Sequence, residues 1–321
     1  MFNDGEASMY VAYHPGYVTD IGAGHRFPMQ KYRLVYERLL AEGTLSPQQV
    51  VAPAPAAAQD LLLVHTHDYV ARFLDGDMTD REMRTLGFPW SAGLARRALL
   101  AVNGTITASR LAWRDGLAAN LAGGSHHAFV DHGEGFSVFN DIATAIRVLR
   151  RENRSLRAAV VDCDVHQGNG TAAIFAEDPD VYTCSLHGEK NYPFEKPPSD
   201  LDVGLPDGAR DAEYLAALDD ALETVQSEFR PHMVWYQGGV DPYEGDRLGR
   251  LSLSLEGLLR RDVRVLSFFR SVDVPVVTTM GGGYAPQMEA IVEAHCQTVR
   301  AACRLAAGAL PAQDAFNPHG S

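Results

Sequence analysis

Short, almost wholly apolar runs alternate with amphipathic stretches along this chain. The runs at 9–13, 117–123, 157–165, 180–186, 232–238 and 273–283 are rich in Val, Ala and Tyr and too short for helices. Each reads as a strand buried on both faces. The stretches at 28–43, 91–113, 140–152, 211–229, 255–270 and 285–310 carry apolar residues at helical spacing and read as the helices between them. Such alternation predicts an α/β fold, a single three-layer domain over residues 1–321 with a mostly parallel β-sheet and helices on both faces. Three segments interrupt the pattern. Residues 50–60 read as a surface connection, 75–90 as a long loop with one helical turn, and 187–208 as irregular chain rich in Pro and Gly.

Polar clusters sit where the strand-like runs end. "GGSHH" follows the run at 117–123, "DCDVHQGNG" closes the next, "QGGVD" closes "HMVWY", and "MGGGY" closes "VPVVTT". In open parallel sheets ligands bind beyond the carboxyl ends of the strands, so these clusters are expected on one rim. Alternation along an extended strand puts Asp162, Asp164 and His166 on one side, with Cys163 and Val165 on the other. Buried carboxylates are costly unless a cation or hydrogen bonds offset them. Asp164 and His166, joined by Asp241 after another strand, form a candidate metal-ligand set. Two carboxylates and one imidazole leave a position open, as catalytic Zn²⁺ requires, and the hard donors also admit Fe²⁺ or Mn²⁺.

The adjacent His126 and His127 suit acid–base work beside such an ion, because imidazole titrates near neutral pH. Asp162 is placed to orient one ring. Asn169 is placed to orient the other without added negative charge, which keeps that imidazole a free base. Gly281, Gly282 and Gly283 let the backbone approach a ligand closely. Tyr284 after them offers a phenol to a developing oxyanion. No Lys-Ser/Thr follows these glycines, so they are not a phosphate loop. Each feature alone has a plain structural reading: a helix-capping Asp, a packed histidine, a tight turn before a core tyrosine. Their conjunction points to metal-dependent hydrolysis of an amide or ester carbonyl, with acyl group and amine unspecified.

Composition narrows the setting. With 46% hydrophobic and 21% charged residues the chain can bury a sizeable core. No apolar stretch approaches the roughly 18 residues of a membrane span, and the opening residues lack the pattern of a secretory leader. Cys163, Cys184, Cys296 and Cys303 include no Cys-x-x-Cys pair, which predicts free thiols and a cytoplasmic setting. A net charge of −13 argues against nucleic-acid binding and leaves room for a cationic substrate.

The segments "GGSHHAF", "GFSVFND", "DCDVHQGNGT", "YTCSLH", "GGVDPYEGDRLG" and "GGGY" resemble, in type, order and spacing, the motifs of the zinc-dependent histone deacetylase family. "GHRFPMQKY" and "DVHQGNG" are most similar to bacterial and class IV members. Asn169 stands where class I members carry Asp. The resemblance spans about residues 10–304 and implies an arginase/deacetylase-like fold and a lysine deacetylase or deacylase. It implies that Asp164, His166 and Asp241 bind Zn²⁺, that His127 is the general base, and that His126, held by Asp162, stays near the leaving amine. Tyr284 would polarise the scissile carbonyl. Gly135 and Phe136 would line an acyl-lysine tunnel, with Tyr192 and Leu248 as further walls and Gly282 among the substrate-binding residues. A structural K⁺ near Asp162, Asp164, His166, Ser185 and Leu186 is also implied. No residue of 75–90 is assigned to gripping substrate.

Three other readings are weighed against this one. An arginase-like dimanganese site needs another acid two residues beyond the histidine, where Gly168 stands. Acetylpolyamines or other small acylated amines are an alternative substrate class. A catalytically silent binding module of the same fold would be expected to have lost a ligand or the tyrosine, and this chain has a suitable residue at each position.

Overall fold

Val, Ala, Tyr and Trp dominate the runs that become strands, and such side chains fit a pleated surface covered on both sides. The computed structural model describes residues 9–309. Its strands are β1 (Tyr10–Ala12), β2 (Val50–Val51), β3 (Leu117–Asn120), β4 (Ala158–Asp162), β5 (Val181–Gly188), β6 (Leu201–Leu205), β7 (Met233–Gln237) and β8 (Val276–Thr279). They form one eight-stranded sheet in the order β2-β1-β3-β8-β7-β4-β5-β6, and every pairing is parallel.

Helices α1 (Lys31–Ala41), α2 (Ala58–Leu61), α3 (His67–Asp75), α4 (Asp80–Leu86) and α5 (Ala92–Asp115) precede β3. After it come α6 (Asp141–Glu152), α7 (Asn169–Phe175), α8 (Asp211–Thr224), α9 (Leu255–Ser271) and α10 (Met288–Ala306). They pack as two sets: α5 lies on α6, while α1, α10, α9 and α8 pack in series. Strand β3 touches α5 and α10, and β8 touches α5 and α9, so the sets flank the sheet and the expected α/β layering is present. Among the described residues no helix is long and apolar enough to cross a membrane.

Two strands lie where none was expected. Strand β2 is cut from the segment read as a surface connection, and β6 from the irregular 187–208 segment; both are edge strands. Their apolar signal is weak because β6 shows its side chains partly to solvent and β2 is only two residues long. The 75–90 segment holds more helix than one turn. Thr79 and Glu82 close a capping box at the start of α4, and Gly87 ends it in the left-handed conformation.

Loop 128–140 crosses this region and is pinned by His65. Its Nδ1 is 2.9 Å from the Phe129 carbonyl oxygen, and its Nε2 accepts from the Asn140 amide at 3.0 Å. That pattern requires the neutral ring, and burial pushes its pKa down to about 4. The unfolded chain takes up this proton near pH 6.5, the folded chain only near 4. The stability that His65 contributes is therefore full above about pH 6.5 and falls with acid through the window below it, by up to about 1.4 kcal/mol per pH unit. His187, also pushed down to about 4 by burial, acts in the same window. Because Asp241, raised by burial, acts in the opposite sense over this window, the loss is expected in the comparison of native protein with His65→Gln by urea unfolding near pH 7 and near pH 5, where the variant should lack it.

Candidate functional site

The sheet register lines up the strand ends. Ala12, Asn120, Thr279, Gln237, Asp162 and Ser185 are successive Cα partners across β1, β3, β8, β7, β4 and β5. The four polar clusters leave the sheet just beyond this row, so the expected rim exists.

Strand β4 stops at Asp162, short of the extended run anticipated through Val165. Side-chain turns carry the pattern onward: Asp162 Oδ1 accepts the Asp164 amide and Asp164 Oδ1 accepts the His166 amide, both at 3.1 Å. Asp164, His166 and Asp241 then converge with their ligand atoms within 4.8 Å of one another, all buried. His166 Nδ1 is 3.0 Å from Asp164 Oδ1 and 3.1 Å from Asp241 Oδ2. The outer carboxylate oxygens are held as well, Asp241 Oδ1 by the Val165 amide at 2.9 Å and Asp164 Oδ2 by the Gly282 amide at 2.8 Å. A Cβ on Gly282 or Gly239 would run into these two carboxylates.

Charge explains what the cluster wants. Burial, reinforced by Asp164, pushes the Asp241 pKa up to about 7. Burial alone would lower His166, but its hydrogen bonds to the two acids overcome this and raise it to about 10. Two packed carboxylates borrowing a proton this way form a site short of positive charge, and the donor set fits a divalent cation.

The two histidines behave differently. His126 Nδ1 is 2.6 Å from Asp162 Oδ2. Although burial opposes protonation, Asp162 and Asp164 raise its pKa to about 9. His127 Nδ1 is 2.6 Å from Asn169 Oδ1, and Asn169 Nδ2 donates to Glu134 Oε1 at 2.6 Å. The Glu134 contact fixes which end of the Asn169 amide faces the ring. His127 therefore carries its proton on Nδ1 and keeps Nε2 bare. Burial and the neighbouring His126 and His166 hold its pKa well below the usual value. One imidazole is charged beside one that is neutral.

The tunnel residues gather at the mouth. Gly135 (φ 54°) and Phe136 (φ 67°) are both left-handed, and Phe136 is held there by its amide donating to the Leu86 carbonyl at 2.8 Å. Helix α4 thus braces the wall. A Cβ on Gly135 would press on the His127 ring. The Phe136 ring lies 5.9 Å from Tyr284, and the Tyr192 ring 5.1 Å from His127. The Leu248 carbonyl accepts from Asn191, the residue before Tyr192, at 2.8 Å. Asp246 binds the Tyr284 amide, and the phenol hydroxyl has no partner among the described residues. Burial pushes the phenol pKa well above its usual value, so the hydroxyl stays a donor. Of the implied K⁺ residues, Asp162 and Ser185 are register partners, and the Ser185 hydroxyl is 3.0 Å from His187 Nδ1.

A family profile described as the histone deacetylase domain matches residues 25–300. The chain belongs to the histone deacetylase family. Histone deacetylase 2 of Arabidopsis thaliana is 34% identical over 269 residues, 81% of this chain and 70% of its own length. An uncharacterized protein of Picosynechococcus sp. is 47% identical over 292 residues, 91% of this chain and 97% of its own. A solved HDAC homolog from Aquifex aeolicus matches with a TM-score of 0.79 at 25% identity, over 94% of this chain and 84% of that one. The arginase/deacetylase-like fold follows.

Four residues of this histone deacetylase family member went unremarked in the sequence. Glu134, hidden in "GEGF", orients Asn169. Asp246 anchors Tyr284. Arg261 reads as an ordinary helix residue, yet it is fully buried and donates to the carbonyls of Cys163 at 3.1 Å and Gly239 at 2.6 Å, with Asp262 as counter-ion. It ties the two ligand-bearing loops together, and breaking such a buried pair costs about 3–5 kcal/mol. Lys31, also fully buried, donates to the Gly281 carbonyl at 2.7 Å. No local pattern marks them, since each acts on a partner distant in sequence.

Proposed function

We propose that the protein is a metal-dependent hydrolase that removes acetyl or other acyl groups from lysine side chains. The observation that carries this reading is a buried two-carboxylate, one-imidazole cluster beside two histidines, one held by a carboxylate and the other by an amide. Asp164, His166 and Asp241 would hold the cation, Zn²⁺ first and Fe²⁺ second. When bound, the cation supplies Lewis-acid polarisation and makes water a better nucleophile near neutral pH.

The chain's own groups do the rest. The bare Nε2 of His127 accepts a proton from the attacking water. His126, charged through Asp162, stabilises negative charge and stands by the leaving amine; environments that push two pKa values apart in this way assign acid and base. Tyr284 donates its hydroxyl to the oxygen that gains charge. Gly135, Phe136, Tyr192 and Leu248 would enclose the lysine stem, with Gly282 backing the ligands. The structural K⁺ at Asp162, Asp164, His166, Ser185 and Leu186 belongs to the same proposal. The four cysteines are free, which supports a reducing compartment such as the cytoplasm. We take residues 1–321 to act as one catalytic domain, since one sheet carries every site loop.

Acid release from an acetyl-lysine peptide and from an acetylpolyamine tests the substrate class. Cleavage of the peptide supports the reading; cleavage of the polyamine alone replaces it with the small-amine one. The base assignment has its own test. Asn169→Asp puts a negative charge against His127 and raises the imidazole pKa, so the acid limb of the kcat/KM profile should move up by about one pH unit or more. An unmoved limb would remove His127 from the role.

A further inference from the structure

Arg97, on α5, brings a second buried cation into the site, and the chemistry above does not use it. Its Nε donates to the Tyr17 carbonyl at 3.0 Å and its Nη2 to the Tyr32 hydroxyl at 2.9 Å. The guanidinium also lies over the rings of Tyr32 and Phe27, at 5.0 Å and 5.7 Å. Among the described residues no carboxylate comes within ion-pair distance of it. Asp141, an acid of the same region, is already taken by the Thr105 hydroxyl and the amides of Gly124 and Ser125. A buried guanidinium without an anion is costly, so its position calls for one.

The space in front of Arg97 is continuous with the tunnel. A small cavity of about 30 Å³ is lined by Phe136, His127 and Tyr284. Gly124, Ser125 and Gly281 line the same cavity, as do Tyr32 and Arg97. Asp164 and Tyr284 line this cavity too, so an acyl chain whose carbonyl sits beside them shares it with the guanidinium. Its path is walled by glycine backbone and a serine, which offer little to a long alkyl chain. At the end wait free guanidinium donors and the Tyr32 hydroxyl, whose oxygen accepts from Arg97 and whose proton is available. Lys31, bonded to Gly281 behind the wall, adds positive potential.

We propose that Arg97 and Tyr32 make the floor of the acyl pocket a carboxylate subsite, and that the favoured substrates are lysines bearing short dicarboxylic acyl groups such as succinyl. This rests on the deacylase reading of the same site. In the reaction the amide C–N bond breaks, water adds its oxygen to the acyl carbon, and the proton removed from water ends on the lysine amine. The products are succinate and a free lysine side chain. The distal carboxylate keeps its pairing with the guanidinium throughout and takes no part in bond making.

Calorimetric titration of the metal-stripped protein, in which no hydrolysis is expected, with two peptides, one succinyl-lysine and one butyryl-lysine, tests the subsite without turnover. Charge-assisted hydrogen bonds predict about tenfold or tighter binding of the succinyl peptide. The preference should vanish in Arg97→Met and survive in part in Arg97→Lys. Equal binding by the native protein, tighter binding of butyryl, or a preference unchanged in Arg97→Met overturns the proposal. So does inhibition by free acetate that depends on Arg97 without any succinyl preference, which would give the guanidinium to the leaving acid. Acid release measured on the same peptides separates the two readings. A binding preference with no hydrolysis sinks the hydrolase and leaves the subsite; hydrolysis without preference does the reverse.

Discussion

Asp241→Ala is expected to strip the protein of bound metal and to lower turnover by at least about three orders of magnitude. The change leaves only Asp164 and His166, too few to hold a divalent cation against dialysis. It also frees the Val165 amide that Asp241 now satisfies, so the loop carrying His166 loses one of its anchors. Metal content per chain and kcat are the two readouts, with thermal melting as a check that the fold persists. Loss of the buried acid itself should not unfold the chain, because its pKa, pushed up to about 7, marks a group that burial disfavours in charged form. Full metal content in the variant would break the ligand assignment.

Tyr284→Phe is expected to keep the metal and the fold but to lower kcat by about 10²–10³. The hydroxyl bonds to nothing else among the described residues, so its removal leaves no polar group stranded. The ring keeps its place, since Asp246 holds the Tyr284 backbone rather than the phenol. KM should move far less than kcat, because the phenol meets its full partner only as the carbonyl oxygen gains charge. The phenol remains protonated across the working range, so the native protein should show no basic limb from this group. A variant with unchanged kcat would dismiss the oxyanion role.

Much of this was legible before any coordinates. The strands that carry the site, β3, β4, β7 and β8, are buried on both faces, and that environment writes a continuous apolar run into the sequence. The motif residues follow those runs directly, so placing the runs in one parallel sheet placed His126, Asp164, Asp241 and Tyr284 on one rim. What stayed hidden depended on partners distant in sequence. The edge strands β2 and β6 have no two-sided burial to mark them. Helices α3 and α4 were obscured by polar residues that serve as caps and by the solvent-facing side of α4. Arg97 and Arg261 read as ordinary helix charges, because only the folded chain turns them inward.

The split between the two histidines shows the same limit. Sequence paired Asp162 and Asn169 with the two rings as alternatives, and the resemblance assigned Asp162 to His126. The hydrogen bonds carry the distinction: a carboxylate charges His126, and an amide, itself turned by Glu134, leaves His127 neutral. Glu134 has no signature of its own, being one acid in a glycine-rich loop.

Hydrolysis of an acyl-lysine amide with a bound divalent cation, His127 and Tyr284 is open to a simple check. Its most direct measurement is acid release from an acyl-lysine peptide set, acetyl and succinyl included, by protein stripped with a chelator and then reloaded with Zn²⁺ or Fe²⁺. No release is expected from the stripped protein, with recovery on reloading with one of the two ions and no recovery in Asp241→Ala. Equal release with and without metal, or none from any acyl peptide after reloading, would contradict it.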